Sequence, residues 1–119
     1  MLYENEDMTI LRDNFKLIQK VNGFRFSVDA VILSDFFNPH KDGKVLDIGT
    51  GNGIIPILLY AKNKSRDIVG IDIQEENSSL AIRNIELNKL EEYIDTATHK
   101  GRHASEQIAQ VAEKLVDHI

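Results

Sequence analysis

The chain has 119 residues, 42% of them hydrophobic, no cysteine and a formal net charge of −5. That is one small globular domain without disulfides, thiolate metal sites or cysteine nucleophiles, and its acid excess argues against a broad electrostatic grip on nucleic acid. No apolar run approaches a membrane span and Met1 opens no secretory signal, so a cytoplasmic protein with no membrane partner is expected.

Residues Met1–Asp7 are polar and read as a frayed end. Phe15–Lys20 suits a strand, and Asn22-Gly23 is a short hairpin signal leading to a return strand, Phe24-Arg25-Phe26. Ser27 is a good helix N-cap, and Asp29 falls in the first turn, where the helix dipole favours an acid. Val28, Val31, Ile32 and Phe36 follow at the spacing of a buried helical stripe. Asn38-Pro39 ends that helix. Two small basic clusters, Lys16, Lys20 and Arg25, then Lys62, Lys64 and Arg66, read as solvated surface.

Everything else is arranged around Lys44–Asp72, KVLDIGTGNGIIPILLYAKNKSRDIVGID. A short apolar run carrying Asp47 leads to glycines at 49, 51 and 53, then to a helical segment, Ile54–Ala61, with Pro56 in its first turn. A second apolar run ends on Asp72, and its near-continuous hydrophobicity is that of a parallel strand buried on both faces. This is a βαβ unit. Its alternating glycines let a ligand lie against bare backbone, and the helix that follows aims free N–H groups at the same place.

The spacing Gly49-x-Gly51-x-Gly53 departs from the G-x-G-x-x-G turn that grips a pyrophosphate. Asp47 would repel a diphosphate there but suits a ligand that brings positive charge. S-adenosylmethionine (SAM) brings two such charges, its sulfonium and its α-ammonium. Asp72, nineteen residues beyond Gly53, stands where an acid accepts hydrogen bonds from ribose hydroxyls. No phosphate-binding loop of the G-x-x-x-x-G-K-[ST] type is present.

VLDIGTGNG followed by IVGIDI resembles motifs I and II of class I SAM-dependent methyltransferases. The resemblance implies a Rossmann-like α/β fold with SAM as cofactor, bound by Asp47, Gly49, Thr50, Gly51, Asn52, Gly53, Asp72 and Ile73. The preceding LIQKVNGFRFSVDAVILSDFF narrows it, since it looks like methyltransferases acting on adenine N6 in tRNA. By that likeness Phe26, Ser27 and Asp29 lie at the pocket mouth, and tRNA or another adenine-containing nucleic acid is the implied partner. Residue by residue, core phenylalanines and a simple cap fit equally.

Glu75–Leu90 reads as the next helix, with Leu80, Ala81, Ile85 and Leu87 inward. Asn84 and Asn88 share one face and read as surface hydrogen-bonding residues. After Tyr93 the family's pattern fades: Ile94–Thr98 is a weak strand, and Ala104–Ile119 a helix with an apolar stripe. His99 and His103 stand at a two-ligand helical spacing, but Gly101 lies between them and no further ligands accompany them, so no metal is expected.

The expected architecture is therefore a single domain: an N-terminal hairpin and helix over residues 1–40, a βαβα cofactor-binding core over 41–95, and a divergent C-terminal helix over 96–119. The Asn-Pro-Pro-Tyr turn that positions the target amine in the resembled enzymes is missing, because the only prolines are Pro39 and Pro56. Catalytic residues are thus not assignable, and the chain is expected to be incomplete for catalysis. Two further readings are a non-catalytic SAM-binding module and a truncated Rossmann-like fragment. Self-association through an open sheet edge or the C-terminal helix is expected, because an unpaired strand edge invites another chain.

Overall fold

The computed structural model describes residues 2–23, 28–40 and 43–98. It is an α/β fold in which an antiparallel hairpin, β1 (Glu6–Ile10) and β2 (Lys16–Lys20), and a helix, α1 (Val28–Phe36), precede a parallel sheet. The sheet has the order β3-β4-β5, from β3 (Val45–Ile48), β4 (Ile68–Asp72) and β5 (Ile94–Thr98). Helices α2 (Ile54–Ala61) and α3 (Glu75–Leu87) make the two crossovers that parallel strands require. Both β4 pairings are in unbroken register, Val45 opposite Ile68 on one side and Ile68 opposite Ile94 on the other.

The βαβ reading holds, and so does its cause. All five residues of β4 are buried, as expected of a strand sandwiched on both faces. One core gathers Leu17 from the hairpin, Val45 and Ile68 from the sheet, Ile57 and Leu58 from α2, and Ile85 from α3. β5, weak by its residues, is a full strand because β4 supplies a complete ladder for it.

The expected N-terminal hairpin is present, with β2 inside the expected Phe15–Lys20, but its partner strand lies before it. Lys16–Lys20 pairs backward with Glu6–Ile10 through a turn at Arg12–Asn14, so the segment expected to fray runs into a strand. What holds it is long-range. The Glu6 carboxylate, 2% exposed, receives two hydrogen bonds from the Arg83 guanidinium, at 2.6 and 2.8 Å. The Tyr3 ring lies 4.1 Å from the same guanidinium, and the Tyr3 N–H donates to Glu6. The return strand expected at Phe24–Phe26 lies outside the described residues.

Helix α1 forms where expected but does not bury its stripe. Val28, Ile32 and Phe36 are exposed, Phe36 by 78%. The helix is pinned from the other side by Lys62, whose side chain is only 5% exposed. Its ammonium donates to Val31 O at 2.9 Å and Ser34 Oγ at 2.5 Å, and pairs with Asp35 at 2.7 Å. Lys62, expected on the solvated surface, is a tether between α1 and α2. The polar stop at Asn38-Pro39 follows the helix as read.

Asn84 and Asn88 are likewise not surface residues in the ordinary sense. Asn84 is fully buried. Its Oδ1 accepts from Ile18 N–H at 2.7 Å and its Nδ2 donates to Ile18 O at 3.0 Å. Asn88 does the same for Lys16, at 2.8 and 2.7 Å. Helix α3 thus grips the outer edge of β2 with two side-chain amides. The helix itself ends at Leu87, short of the expected Leu90, with Asn88 as its C-cap.

Removing the Arg83 side chain leaves a buried carboxylate without its main partner, and Arg83→Ala is expected to cost about 1–3 kcal/mol at pH 7. The guanidinium holds the Glu6 carboxyl below its ordinary value of 4.5, against the opposing pull of burial. The stability from this pair is therefore complete above the unfolded value and is lost as pH falls through the lowered folded one. Urea melts at pH 7 and pH 3 should show the gap between wild type and variant shrinking at pH 3.

Candidate cofactor site at the glycine turn

Parallel strands place their functional residues at their C-terminal ends, and here β3 and β4 end side by side on Ile48 and Asp72. The chain leaves β3 through Gly49, Gly51 and Gly53, all with positive φ (76°, 58° and 88°), where any Cβ would strain the backbone. The turn is seated by β4. Gly49 and Thr50 both donate their N–H groups to Ile71 O at 2.8 Å, and Gly51 N–H donates to Asp72 Oδ2 at 2.9 Å. Gly53 then caps α2, with its carbonyl accepting from Ile57 N–H.

Asp72 is the pivot of this seat. Besides Gly51, it accepts from Gln74 N–H at 2.9 Å and, at 3.4 Å to each oxygen, from Asn77 Nδ2. Gly70, in the middle of β4, makes the seat possible: a Cβ there would lie 2.7 Å from Thr50 Oγ1. The sequence reading passes over Gly70, although a glycine inside a strand is itself a signal of close approach.

Among the described residues, three buried polar atoms at the turn make no hydrogen bond of full geometry: Asp47 Oδ2, Thr50 Oγ1 and Asn52 Nδ2, although the Thr50 hydroxyl stands close enough to the Asp47 carboxyl to lower its pKa. Native interiors leave few such atoms, and those that occur call for an explanation. Burial pushes the Asp47 carboxyl above its ordinary value of 3.8, the nearby Thr50 hydroxyl pulls it down, and the Asp72 charge pushes it up again. Beside these atoms the surface is bare: a Cβ at Gly49 would meet nothing within 4 Å, and Ile48 and Ile73 are 71% and 91% exposed.

The structure therefore brings together Asp47, Gly49, Thr50, Gly51, Asn52, Gly53, Asp72 and Ile73 at one end of the sheet. Asp29 lies apart from them in sequence, exposed in the first turn of α1; Phe26 and Ser27 lie outside the described residues, as do His99 and His103. Among the described residues no cluster of three or more His, Asp or Glu could hold a metal, and no helix is long and apolar enough to cross a membrane. A hollow of about 130 Å³ reaches Asp47 from between α1 and α2, past Leu33, Ser34, Phe37 and Leu46. A larger one, about 490 Å³, is lined by Tyr3, Lys20, Glu76 and Arg83 among others and by none of the turn residues. The orphaned polar atoms, not the size of a hollow, mark the site.

A parallel α/β sheet with an acid-flanked glycine turn at its strand ends is the arrangement of a Rossmann-like methyltransferase. The comparisons agree: residues 33–115 match the model of the methyltransferase domain family, and the chain belongs to that family, the SAM-dependent methyltransferases. The match runs past Tyr93, where the sequence motifs fade. A release factor glutamine methyltransferase of Fusobacterium nucleatum is 45% identical over 51 residues, 43% of this chain and 14% of its own length. A tRNA1(Val) (adenine(37)-N6)-methyltransferase of a Flavobacteriaceae bacterium is 27% identical over 70 residues, 59% of this chain and 30% of its own length. Among solved structures, M. capricolum TrmK in complex with S-adenosylhomocysteine (SAH) superposes with a TM-score of 0.56 at 26% identity, covering 64% of this chain and 33% of TrmK. The chain thus spans less than a third of the length of the curated relatives it matches.

The raised Asp47 carboxyl has a testable consequence. Its ionisation opposes folding; the penalty is absent below the unfolded value and complete above the folded one. Asp47→Asn should therefore be more stable than wild type at pH 7, with the difference vanishing towards pH 3 in urea melts. A variant less stable than wild type at pH 7 would contradict the assignment.

Proposed function

We propose that this chain is the cofactor-binding part of a SAM-dependent methyltransferase that acts on adenine N6 in tRNA, and that it is incomplete for catalysis by itself. The observation that carries the reading is the orphaned Asp47 Oδ2, buried beside an open backbone turn. A cationic ligand satisfies such an oxygen and lowers the carboxyl's pKa, whereas a diphosphate would meet its charge head-on.

In this reading Gly49, Gly51 and Gly53 let the ligand approach the backbone, and Thr50 Oγ1 and Asn52 Nδ2 offer it further polar contacts. Asp72 holds the ribose, whose hydroxyls compete with the long Asn77 contacts, and exposed Ile73 offers an apolar face to the adenine. Bound there, SAM supplies an electrophilic methyl group. The chain's own contribution is orientation. The likeness of the segment before the turn further assigns Asp29, with Phe26 and Ser27 outside the described residues, to the pocket mouth.

The adenine acceptor is supported by the likeness to the tRNA1(Val) methyltransferase and by the motif before the first glycine. The stronger local identity to a release factor glutamine methyltransferase favours a second acceptor, a glutamine side-chain amide. Both acceptors are planar nitrogens that need positioning more than a strong base. Incompleteness is supported by the missing Asn-Pro-Pro-Tyr turn. It also fits β3, which among the described residues is paired on one edge only, next to exposed Ile48. We extend the proposal to self-association through that edge.

Calorimetry is expected to show uptake of SAM and SAH and none of NAD. Asp72→Ala should weaken SAH binding by about 1–3 kcal/mol, the cost of unpaired polar groups; unchanged affinity would remove the ribose assignment. Methyl transfer to unmodified tRNA or to a release factor should be absent with the chain alone; transfer to the release factor only would select the second acceptor. Light scattering over a range of concentrations should show mass above the monomer, and monomer mass throughout would refute self-association.

A further inference from the structure

From the hydrogen bonds of Asn84 we infer that the N-terminal hairpin is mechanically coupled to the cofactor turn, and that Asn84 is the positioning residue that couples them. The inference rests on the cofactor reading given above.

The geometry begins with a match of two repeats. Four residues along a helix advance about 6 Å, and two residues along a strand advance about 6.5 Å. Asn84 and Asn88 on α3 therefore present their amides at the spacing of Ile18 and Lys16 on β2. Each amide satisfies both the N–H and the C=O of its partner. The pair acts as a substitute strand along the edge of β2 that faces away from β1. Asn88 adds a bond from its Nδ2 to Asn84 O at 2.7 Å, which ties it back to its own helix.

Asn84 differs in what its second N–H does. Its Nδ2 also donates to Asn52 O, in the glycine turn, at 2.8 Å. One fully buried side chain thus bonds the hairpin at Ile18 and the turn between Gly51 and Gly53. The packing leaves it little freedom: Ala81, one helical turn earlier, lies against Gly53, with 3.5 Å from its Cβ to the position of a Gly53 Cβ. The hairpin is in turn locked to α3 by Glu6 and Arg83. A shift of the hairpin is carried to Asn52, whose own Nδ2 is one of the unpartnered atoms at the site. Coupling of this kind is reciprocal: ligand at the turn must also stiffen the hairpin edge.

Asn84→Asp keeps the shape and the acceptor for Ile18 N–H, but removes both donors and sets a carboxylate oxygen against two carbonyls. Asn88→Asp makes the corresponding change at exposed Lys16, two residues along the hairpin, and leaves the Asn84 bonds to Ile18 and Asn52 in place. Both variants of the full chain should melt at lower temperature than wild type. In SAH titrations by calorimetry, Asn84→Asp, which breaks the link itself, should bind about tenfold or more weakly, and Asn88→Asp, which loosens the hairpin but keeps the link, should lose affinity by a clearly smaller factor. Wild-type affinity in Asn84→Asp, or equal losses in the two variants, would overturn the coupling while leaving the cofactor reading intact. A wild-type chain that takes up no SAH would overturn both. Should Asn84→Asp fail to fold, side-chain amide NMR of the wild type decides: SAH should move the Asn84 Nδ2 resonances, and those of Asn88 by less, and an unmoved Asn84 signal refutes the inference.

Discussion

The turn between β3 and α2 has no structure of its own; it is held by β4. Three successive N–H groups, those of Gly49, Thr50 and Gly51, bond to Ile71 O and Asp72 Oδ2, and Gly70 withholds a Cβ so that Thr50 can settle on the strand. Three glycines with positive φ would otherwise be the most mobile backbone in the molecule. The parallel register of β3 and β4 thus decides the shape of the site before any ligand enters. Asp72 commits its oxygens to backbone and Asn77, while Asp47 keeps one buried oxygen without a well-formed hydrogen bond among the described residues.

Much of the remaining organisation is done by polar side chains that stand in for missing backbone partners. A three-stranded sheet and a two-stranded hairpin leave edges and helix faces that apolar packing alone would align loosely. Lys62 fastens α1 to α2, Arg83 fastens Glu6 to α3, and the two asparagines fasten β2 to α3. Each ties a directional group to a specific atom, and breaking the Arg83 or the Asn84 contacts strands a buried partner, Glu6 or Ile18. Such contacts select one arrangement among several of similar apolar burial.

Against this stands the apolar surface that is not covered. Ile32, Leu33 and Phe36 of α1, Ile48 at the end of β3 and Ile73 after β4 all face outward. The five lie on the α1–β3 side and at the strand ends, where the chain offers no further sheet among the described residues. The chain spans less than a third of the length of the curated relatives it matches, and these side chains are the ones its described elements leave bare.

The sequence by itself determined the βαβ unit and the family, because glycine spacing, flanking acids and a doubly buried strand are local patterns written in residue types. It also located the glycine turn to the residue. It determined a hairpin before the first helix but not which strand closes it: β1 is polar and only weakly amphiphilic, and is held by pairing with β2 and by Arg83, seventy-seven residues on, which neutralises its buried Glu6. Nor did it distinguish the stripe of α1 that is buried from the one that is bare, since periodicity gives a face but not the neighbour that covers it. Asn84 and Lys62 read as surface for the same reason. Their roles consist of distances to atoms far along the chain, and only the folded arrangement supplies those.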